Sequence, residues 1–332
     1  MKATITDIAK ATGLSVSTIS KYLNNKPVLP ENKKKIEEAI RILDFTPNRM
    51  AQNLRSKNTR TIALVLPPLD HSLYGKLVNP IENQLKSSNY LSFVCTNIPG
   101  SSSEHSLLEY LFSNHITGIL TVGNSLSMPA LQKIQQKRIP CLCLDYTPAS
   151  FLGDTVSADH KQDGIYAANL FLQRGHYRIA IVGKSLETDL TGMRYKGIRE
   201  TLEANQSFPD HQLSFHEIST LSESGLVLNR LMSAPVPPSG IICLDHLSSL
   251  GLLSAVINSR LRIPEQISLF CFDYEQLFEA LVPNLCSMNE SYDKLGIKSA
   301  QMLLDRIDNP GKDPEHVFVP SVFYEGNTIK EG

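Results

Sequence analysis

From Thr61 onward, strand-like runs alternate with amphipathic stretches, and this alternation leaves few folds open to the chain. Apolar runs at Thr61–Leu66, Leu91–Thr96, Gly118–Val122 and 140–144 are separated by helical periodicity near 73–88, 103–114 and 127–137. After Val156 the pattern restarts, with a helix over 160–173, a strand over 178–182, a helix over 190–204, a strand over 239–244, a helix over 246–258 and a strand over 267–272. Regular strand–helix alternation gives mostly parallel sheets with helices on both faces. The predicted class is therefore α/β, with two doubly wound lobes. At 332 residues and 42% hydrophobic, the chain exceeds one ordinary domain and can fill more than one core.

In open α/β sheets, ligands sit outside the carboxyl ends of the strands. Several strands here run into polar or aromatic residues: Asp70 through Ser72 to Tyr74, Asp145-Tyr146, Asp245-His246 and Asp273-Tyr274. Carboxylates accept from hydroxyl pairs and aromatic rings cover an apolar sugar face, so the set suits a sugar or related polyol, and a nucleobase would also fit. The same aspartates can instead cap the helices that follow. No Gly-x-Gly-x-x-Gly or Gly-x-x-x-x-Gly-Lys follows a strand, so neither a dinucleotide nor a triphosphate is signalled, and no cofactor is expected.

Asp-His occurs at 70/71, 159/160 and 245/246. Adjacent helical residues diverge, so such pairs cannot chelate together, and no His-x-x-x-His or Ser/His/Asp order accompanies them. Neither a metal site nor an enzyme is expected. The six cysteines fall in apolar, strand-like segments without a Cys-x-x-Cys pair, as reduced core thiols do. No signal peptide or apolar run of spanning length appears, which predicts a cytoplasmic protein with no membrane partner.

The formal charge of −1 hides an asymmetry. Residues 1–60 hold 12 Lys and Arg against 5 Asp and Glu, a net of +7, and the remainder is −8. Only the head is built for a polyanion. Within it, Thr4-x-x-Asp7 caps a short helix carrying Ile5, Ile8, Ala9 and Ala11. Gly13 turns the chain, Leu14 plugs the turn, and Ser15 caps a second helix on which Ile19 and Leu23 face inward. That leaves Val16, Ser17, Ser20 and Lys21 outward, the arrangement of a recognition helix in a major groove. A third helix over 31–43 begins with Lys33-Lys34-Lys35, which supplies sequence-independent attraction to phosphate. Residues 47–60 are polar with one stripe, Met50, Ala51 and Leu54.

The stretches Ala3-Thr-Ile-Thr-Asp-Ile-Ala, Gly13-Leu-Ser-Val-Ser-Thr-Ile-Ser-Lys-Tyr-Leu-Asn and Pro47-Asn-Arg-Met-Ala-Gln-Asn-Leu54 closely resemble the lactose-repressor (LacI/GalR) family. The likeness extends over nearly the whole chain, more weakly between 205 and 235. It implies a helix-turn-helix head over 1–46, a hinge helix over 47–59, and a body over 60–332 resembling periplasmic binding proteins. The body divides into one lobe of about 60–158 plus 290–318 and another of about 159–289 plus 319–332.

The resemblance further implies base contacts by Val16, Ser17 and Lys21, and phosphate contacts by Thr6, Ser15, Thr18, Ser20, Asn24 and Asn48. Ala51, Gln52 and Leu54 fall on the hinge helix, with Leu54 as the minor-groove wedge. Asp70, Ser72, Tyr74, Asp145, Arg194, Asp245, Asp273 and Glu290 fall in the effector cleft. Two departures stand out. Lys21 replaces the usual Arg, exchanging a planar fork for a point charge, and Leu244 replaces the Asn that usually precedes Asp245. The implied function is a sequence-specific transcriptional regulator, expected to be a repressor, whose affinity for operator DNA follows a small effector, a sugar or sugar derivative, bound between the two lobes. A protein co-regulator is the alternative that Leu244 keeps open. One head covers one half-site, so a homodimer on a near-palindromic operator is expected. The C-terminal end lacks the leucine heptads of a tetramer.

Overall fold

The structure, a computed structural model, describes residues 3–23, 26–45, 59–69, 73–148, 150–187, 189–205, 212–273, 278, 282 and 284–331. The chain divides into two compact units, Met1–Thr59 and Arg60–Gly332.

The first unit holds α1 (Ile5–Thr12), α2 (Val16–Leu23) and α3 (Pro30–Ile42). Thr4 and Asp7 form a reciprocal capping box: the Asp7 amide donates to Thr4 Oγ1 at 3.3 Å, and the Thr4 amide to Asp7 Oδ2 at 2.9 Å. Gly13 takes φ 68° and returns its N–H to the Ala9 carbonyl, ending α1 in the left-handed turn that glycine makes without strain. Ile8, Ile19, Ile36 and Ala39 form the buried core, one or two from each helix, with Leu14 and Leu23 packed at its margin.

In the second unit, β1 (Thr61–Leu66), α4 (Leu73–Ser87), β2 (Leu91–Thr96), α5 (Ser102–Ser113), β3 (Gly118–Val122), α6 (Met128–Gln136), β4 (Cys141–Leu144) and β5 (Asp154–Ala158) build the first sheet with its helices. There follow α7 (His160–Gln173), β6 (Ile179–Gly183), α8 (Asp189–Glu203), β7 (Leu213–Glu217), α9 (Leu221–Met232), β8 (Gly240–Cys243), α10 (His246–Ser259), β9 (Ser268–Phe272) and β10 (Ser287–Asn289). The chain ends with α11 (Tyr292–Asp308), β11 (His316–Val319) and β12 (Val322–Tyr324).

Two six-stranded sheets result, in the orders β11-β5-β4-β3-β1-β2 and β12-β10-β9-β8-β6-β7. The first is wholly parallel. The second is parallel except at one edge, where β12 returns antiparallel to β10, an addition that needs no crossover helix. The chain passes between the sheets three times: after β5, after β10, and from β11 to β12.

Side chains alternate across each strand and fill both faces. Ile62, Leu64 and Leu66 face one core of the first sheet, and Ala63 and Val65 the other. In the second sheet Ala180 and Val182 face one core while Ile179 and Ile181 face the opposite one. The cysteines are unpaired thiols; five are buried and Cys95 is half-buried.

Candidate functional site

On the head, α2 presents its first turn outward. Val16 is 41% exposed, and Ser17 and Lys21 are exposed while Ile19 is fully buried. The Ser15 hydroxyl accepts from the Thr18 amide at 3.2 Å and lies 2.8 Å from the Ser17 hydroxyl, fixing the start of the helix beside the residues expected to read bases. Thr6 is exposed, Thr18 and Ser20 are half-buried, and Lys33, Lys34 and Lys35 lie exposed on α3. Asn24, Asn48, Ala51, Gln52 and Leu54 lie outside the described residues, as do Asp70 and Ser72 of the expected cleft.

In the body, four of the expected cleft residues converge. Arg194 on α8 is fully buried. Its guanidinium donates through Nη1 to Asp273 Oδ2 at 3.0 Å and through Nη2 to Asp273 Oδ1 at 2.9 Å, a two-pronged pair. Nη1 also donates to the Leu244 carbonyl at 2.8 Å, and Nη2 reaches Glu290 Oε1 at 3.4 Å. The Phe272 ring covers one face of the cation, its centroid 4.4 Å from Cζ. Asp145, beyond β4, meets His160 instead, Oδ1 to Nε2 at 2.7 Å.

Both aspartates adopt left-handed backbone, φ 58° at Asp145 and 59° at Asp273. An Asp side chain tolerates this region better than most, and the strain turns each carboxylate out of its strand. Arg194 and His160 are brought in by a tight helix crossing. A Cβ on Gly164 of α7 would sit 2.1 Å from the Arg194 carbonyl oxygen, and one on Gly197 of α8 equally close to the Lys161 carbonyl oxygen. Only glycine allows the two backbones to touch here.

His160 is the residue missed in the sequence. Along the chain His160 stands beside Asp159, but Asp159 caps α7, accepting from the Gln162 amide at 3.0 Å. The partner of His160 comes from the neighbouring strand end, and the only signal was its place at the first turn after β5. Asp145, His160 and Glu290 bring ligand-type atoms within 4.8 Å of one another, a grouping that could hold a cation.

Asp245 was expected to touch an effector, and its side chain is otherwise committed. Oδ1 accepts from the Ser248 amide at 3.0 Å, capping α10, and Oδ2 accepts from the Lys184 amide at 2.7 Å. Leu244 buries its side chain in the second lobe's core and offers the cluster only its carbonyl. Tyr74 is partly buried against the core of the first lobe.

The protonation states follow from burial and neighbours. Burial would raise the Asp145 carboxyl, but contact with His160, with Arg194 beyond, outweighs it and holds the group below its ordinary range. Burial lowers the His160 imidazole, yet Asp145 overrides this and lifts it to about 9. Burial, then the charge of Asp145, pushes Glu290 up to about 8. At neutral pH the cluster thus holds two ion pairs, Arg194–Asp273 and His160–Asp145, beside a protonated Glu290.

This is a two-lobed α/β body with polar side chains gathered where the lobes join, carried by a chain with a helix-turn-helix head. Residues 4–48 match the family described as bacterial regulatory proteins, lacI family, and residues 168–329 match a periplasmic binding protein-like domain. The head is thus a lacI-type DNA-binding unit, and the relatives that the chain matches over most of its length are transcriptional repressors. It is 26% identical to the HTH-type transcriptional repressor PurR of Actinobacillus pleuropneumoniae serotype 3 (strain JL03), over 92% of this chain and 91% of that one. It is 29% identical to the sucrose operon repressor of Pediococcus pentosaceus, over 93% and 94%. Its fold is similar to that of the lac repressor dimer bound to operator and the anti-inducer ONPF, with TM-score 0.84 at 20% identity over 99% and 100% of the chains. It also resembles a LacI family regulator of Enterococcus faecium with bound ribose, TM-score 0.73 at 23% identity over 82% and 99%. Among the described residues no helix is long and apolar enough to cross a membrane.

Proposed function

We propose that the chain is a transcriptional repressor, acting as a homodimer whose operator affinity is set by a small polyhydroxylated effector, a sugar or sugar derivative, bound among Asp145, His160, Arg194, Asp273 and Glu290. The observation that carries this reading is the gathering of five ionisable side chains, His160, Arg194, Asp273 and Glu290 buried and Asp145 half-buried, where the strand ends of the two lobes meet. Fold stability does not require such a cluster, because apolar side chains of similar volume do as well in a core. The ribose bound by the Enterococcus faecium regulator supports the carbohydrate class. On the head, Val16, Ser17 and Lys21 read bases; Thr6, Ser15, Thr18, Ser20, Asn24 and Asn48 hold phosphates; Ala51, Gln52 and Leu54 enter the minor groove.

The dimer reading rests on the edge strand β2. Leu91, Phe93 and Val94 are exposed there at 53%, 37% and 39%, beside Ile98 and Tyr110 at 59% and 51%. An uncovered apolar edge of this kind invites a second copy, and the lac repressor relative is a dimer.

Fluorescence anisotropy on a selected palindromic operator, with sugars and nucleobases added in turn, tests the reading. A compound that changes operator affinity in the wild type, and not in Asp273→Asn, supports it. No response to any compound overturns it in favour of a protein co-regulator, the alternative to which the apolar Leu244 points.

A further inference from the structure

The cluster leaves two kinds of group unmatched. The first is donors: Arg194 Nε and His160 Nδ1 are buried without a hydrogen-bond partner among the described residues. Four of the five guanidinium N–H groups are directed at Asp273, the Leu244 carbonyl and Glu290, so Nε–H is what Arg194 still has to give. The second is a carboxyl: among the described residues the cations His160 and Arg194 offset Asp145 and Asp273, and Glu290, the third carboxyl of the cluster, keeps its proton and meets Arg194 by a single 3.4 Å contact.

Buried donors without partners call for oxygen acceptors on a ligand, and a third carboxyl without a cation of its own calls for a positive group. We propose that the effector is an amino sugar or an equivalent amine-bearing polyol, its ammonium seated between Glu290 and Asp145 and its hydroxyl oxygens accepting from Arg194 Nε and His160 Nδ1. This deepens the effector reading above and rests on it.

Around Glu290 the ionisable groups are Asp145 and His160 from the first strand-end turn and α7, Asp273 and Arg194 from β9 and α8, and Tyr292 from α11. In this company Glu290 keeps its proton at neutral pH, up to about 8. The ammonium replaces that proton: Glu290 O–H loses H⁺ to solvent as the ligand cation enters, so the charge of the site is conserved. A bare divalent cation at the Asp145, His160 and Glu290 atoms suits the geometry less well. It would sit beside the Arg194 guanidinium and leave both orphaned donors unanswered.

Isothermal titration of the full-length protein, slightly below neutral pH, compares glucosamine with glucose, galactosamine with galactose, and mannosamine with mannose, each in two buffers of different ionisation heat. The expected result is at least one amine binding more than about tenfold tighter than its neutral counterpart, with close to one proton released. In Glu290→Gln both the preference and the proton release disappear, while a cooperative urea transition and an unchanged circular dichroism spectrum show that the variant is folded. A neutral sugar binding as tightly as its amine, without proton release, overturns the proposal and leaves the sugar-sensing reading standing. So does zinc, titrated alone, shifting operator affinity where no amine does. Absence of binding by every sugar and amine overturns both.

Discussion

Asp145 and Asp273 occupy the same place in their two sheets: each follows the third strand of its order, β4 or β9, and each turns left-handed to present its carboxylate to one cation. The body is thus two copies of one architecture whose corresponding strand ends feed a single cluster. Within it the partners differ in kind, since Asp273 takes a permanently charged guanidinium and Asp145 an imidazole that can lose its charge.

Arg194 neutralises carboxylates that are buried with it. Arg194→Met leaves Asp273 uncompensated in the interior and is expected to cost about 3–5 kcal/mol. Adding Asp273→Asn to that variant should recover part of the loss. Urea unfolding of the three proteins checks this, and additive losses would show that the two side chains do not act as a pair.

The cluster makes stability depend on pH. Glu290 is raised to about 8 and His160 to about 9, so the folded protein holds more protons than the unfolded chain. This contribution is fully present below the unfolded values, near 4.5 for Glu and 6.5 for His, and is lost as pH rises through the folded ones. Between 6.5 and 8 both groups act, each lowering stability by roughly 1.4 kcal/mol per pH unit. The urea midpoint should fall across that window, with about half the slope in Glu290→Gln. A flat profile would contradict the assigned protonation states.

The crossing of α7 and α8 sets where Arg194 and His160 sit. Gly164→Ala places a methyl 2.1 Å from the Arg194 carbonyl oxygen, and the helices must separate. A destabilisation of about 1–3 kcal/mol is expected, together with a weaker effector response in the anisotropy assay. An unchanged response would mean that the cluster tolerates movement of α8.

Much of this was readable from the chain. Strand and helix periods located both lobes because buried parallel strands are continuously apolar. The strands β5, β7, β10, β11 and β12 are not resolved by pattern, being short and mixed: β7 reads Leu-Ser-Phe-His-Glu and lies at an edge, half in water. Asp145 and Asp273 were visible as polar residues after apolar runs, whereas Arg194 and Glu290 entered through family likeness. His160 escaped because its partner is set by strand adjacency. Asp245 looked like its fellow strand-end aspartates, and only the Lys184 and Ser248 amides distinguish it as a cap.

On the proposed reading, recognition on the head separates into two kinds of residue. Lys21→Arg should increase the preference for guanine at one position of each half-site by about 1–3 kcal/mol, since a planar fork grips O6 and N7 together. Replacing Lys33, Lys34 and Lys35 by Ala should weaken all sequences alike and shrink the salt dependence by about one unit for each lost phosphate contact. Binding to a randomised operator pool at two salt concentrations distinguishes them.

Phe93→Asp puts a charge on the exposed β2 edge. Sedimentation should show dimer passing to monomer, with a large loss of affinity for a palindromic site and little for a single half-site. A monomeric wild type would remove the dimer from the account.

The first two passages of the chain between the sheets end in the cluster itself: His160 opens α7 directly after β5, and Glu290 follows β10 directly before α11. The residues that would grip an effector are thus the ones through which one lobe is tied to the other. On the proposed reading, sensing and bending would share the same few peptide bonds. A ligand that repositions His160 or Glu290 has already moved the joint, with no intermediary to relay the news.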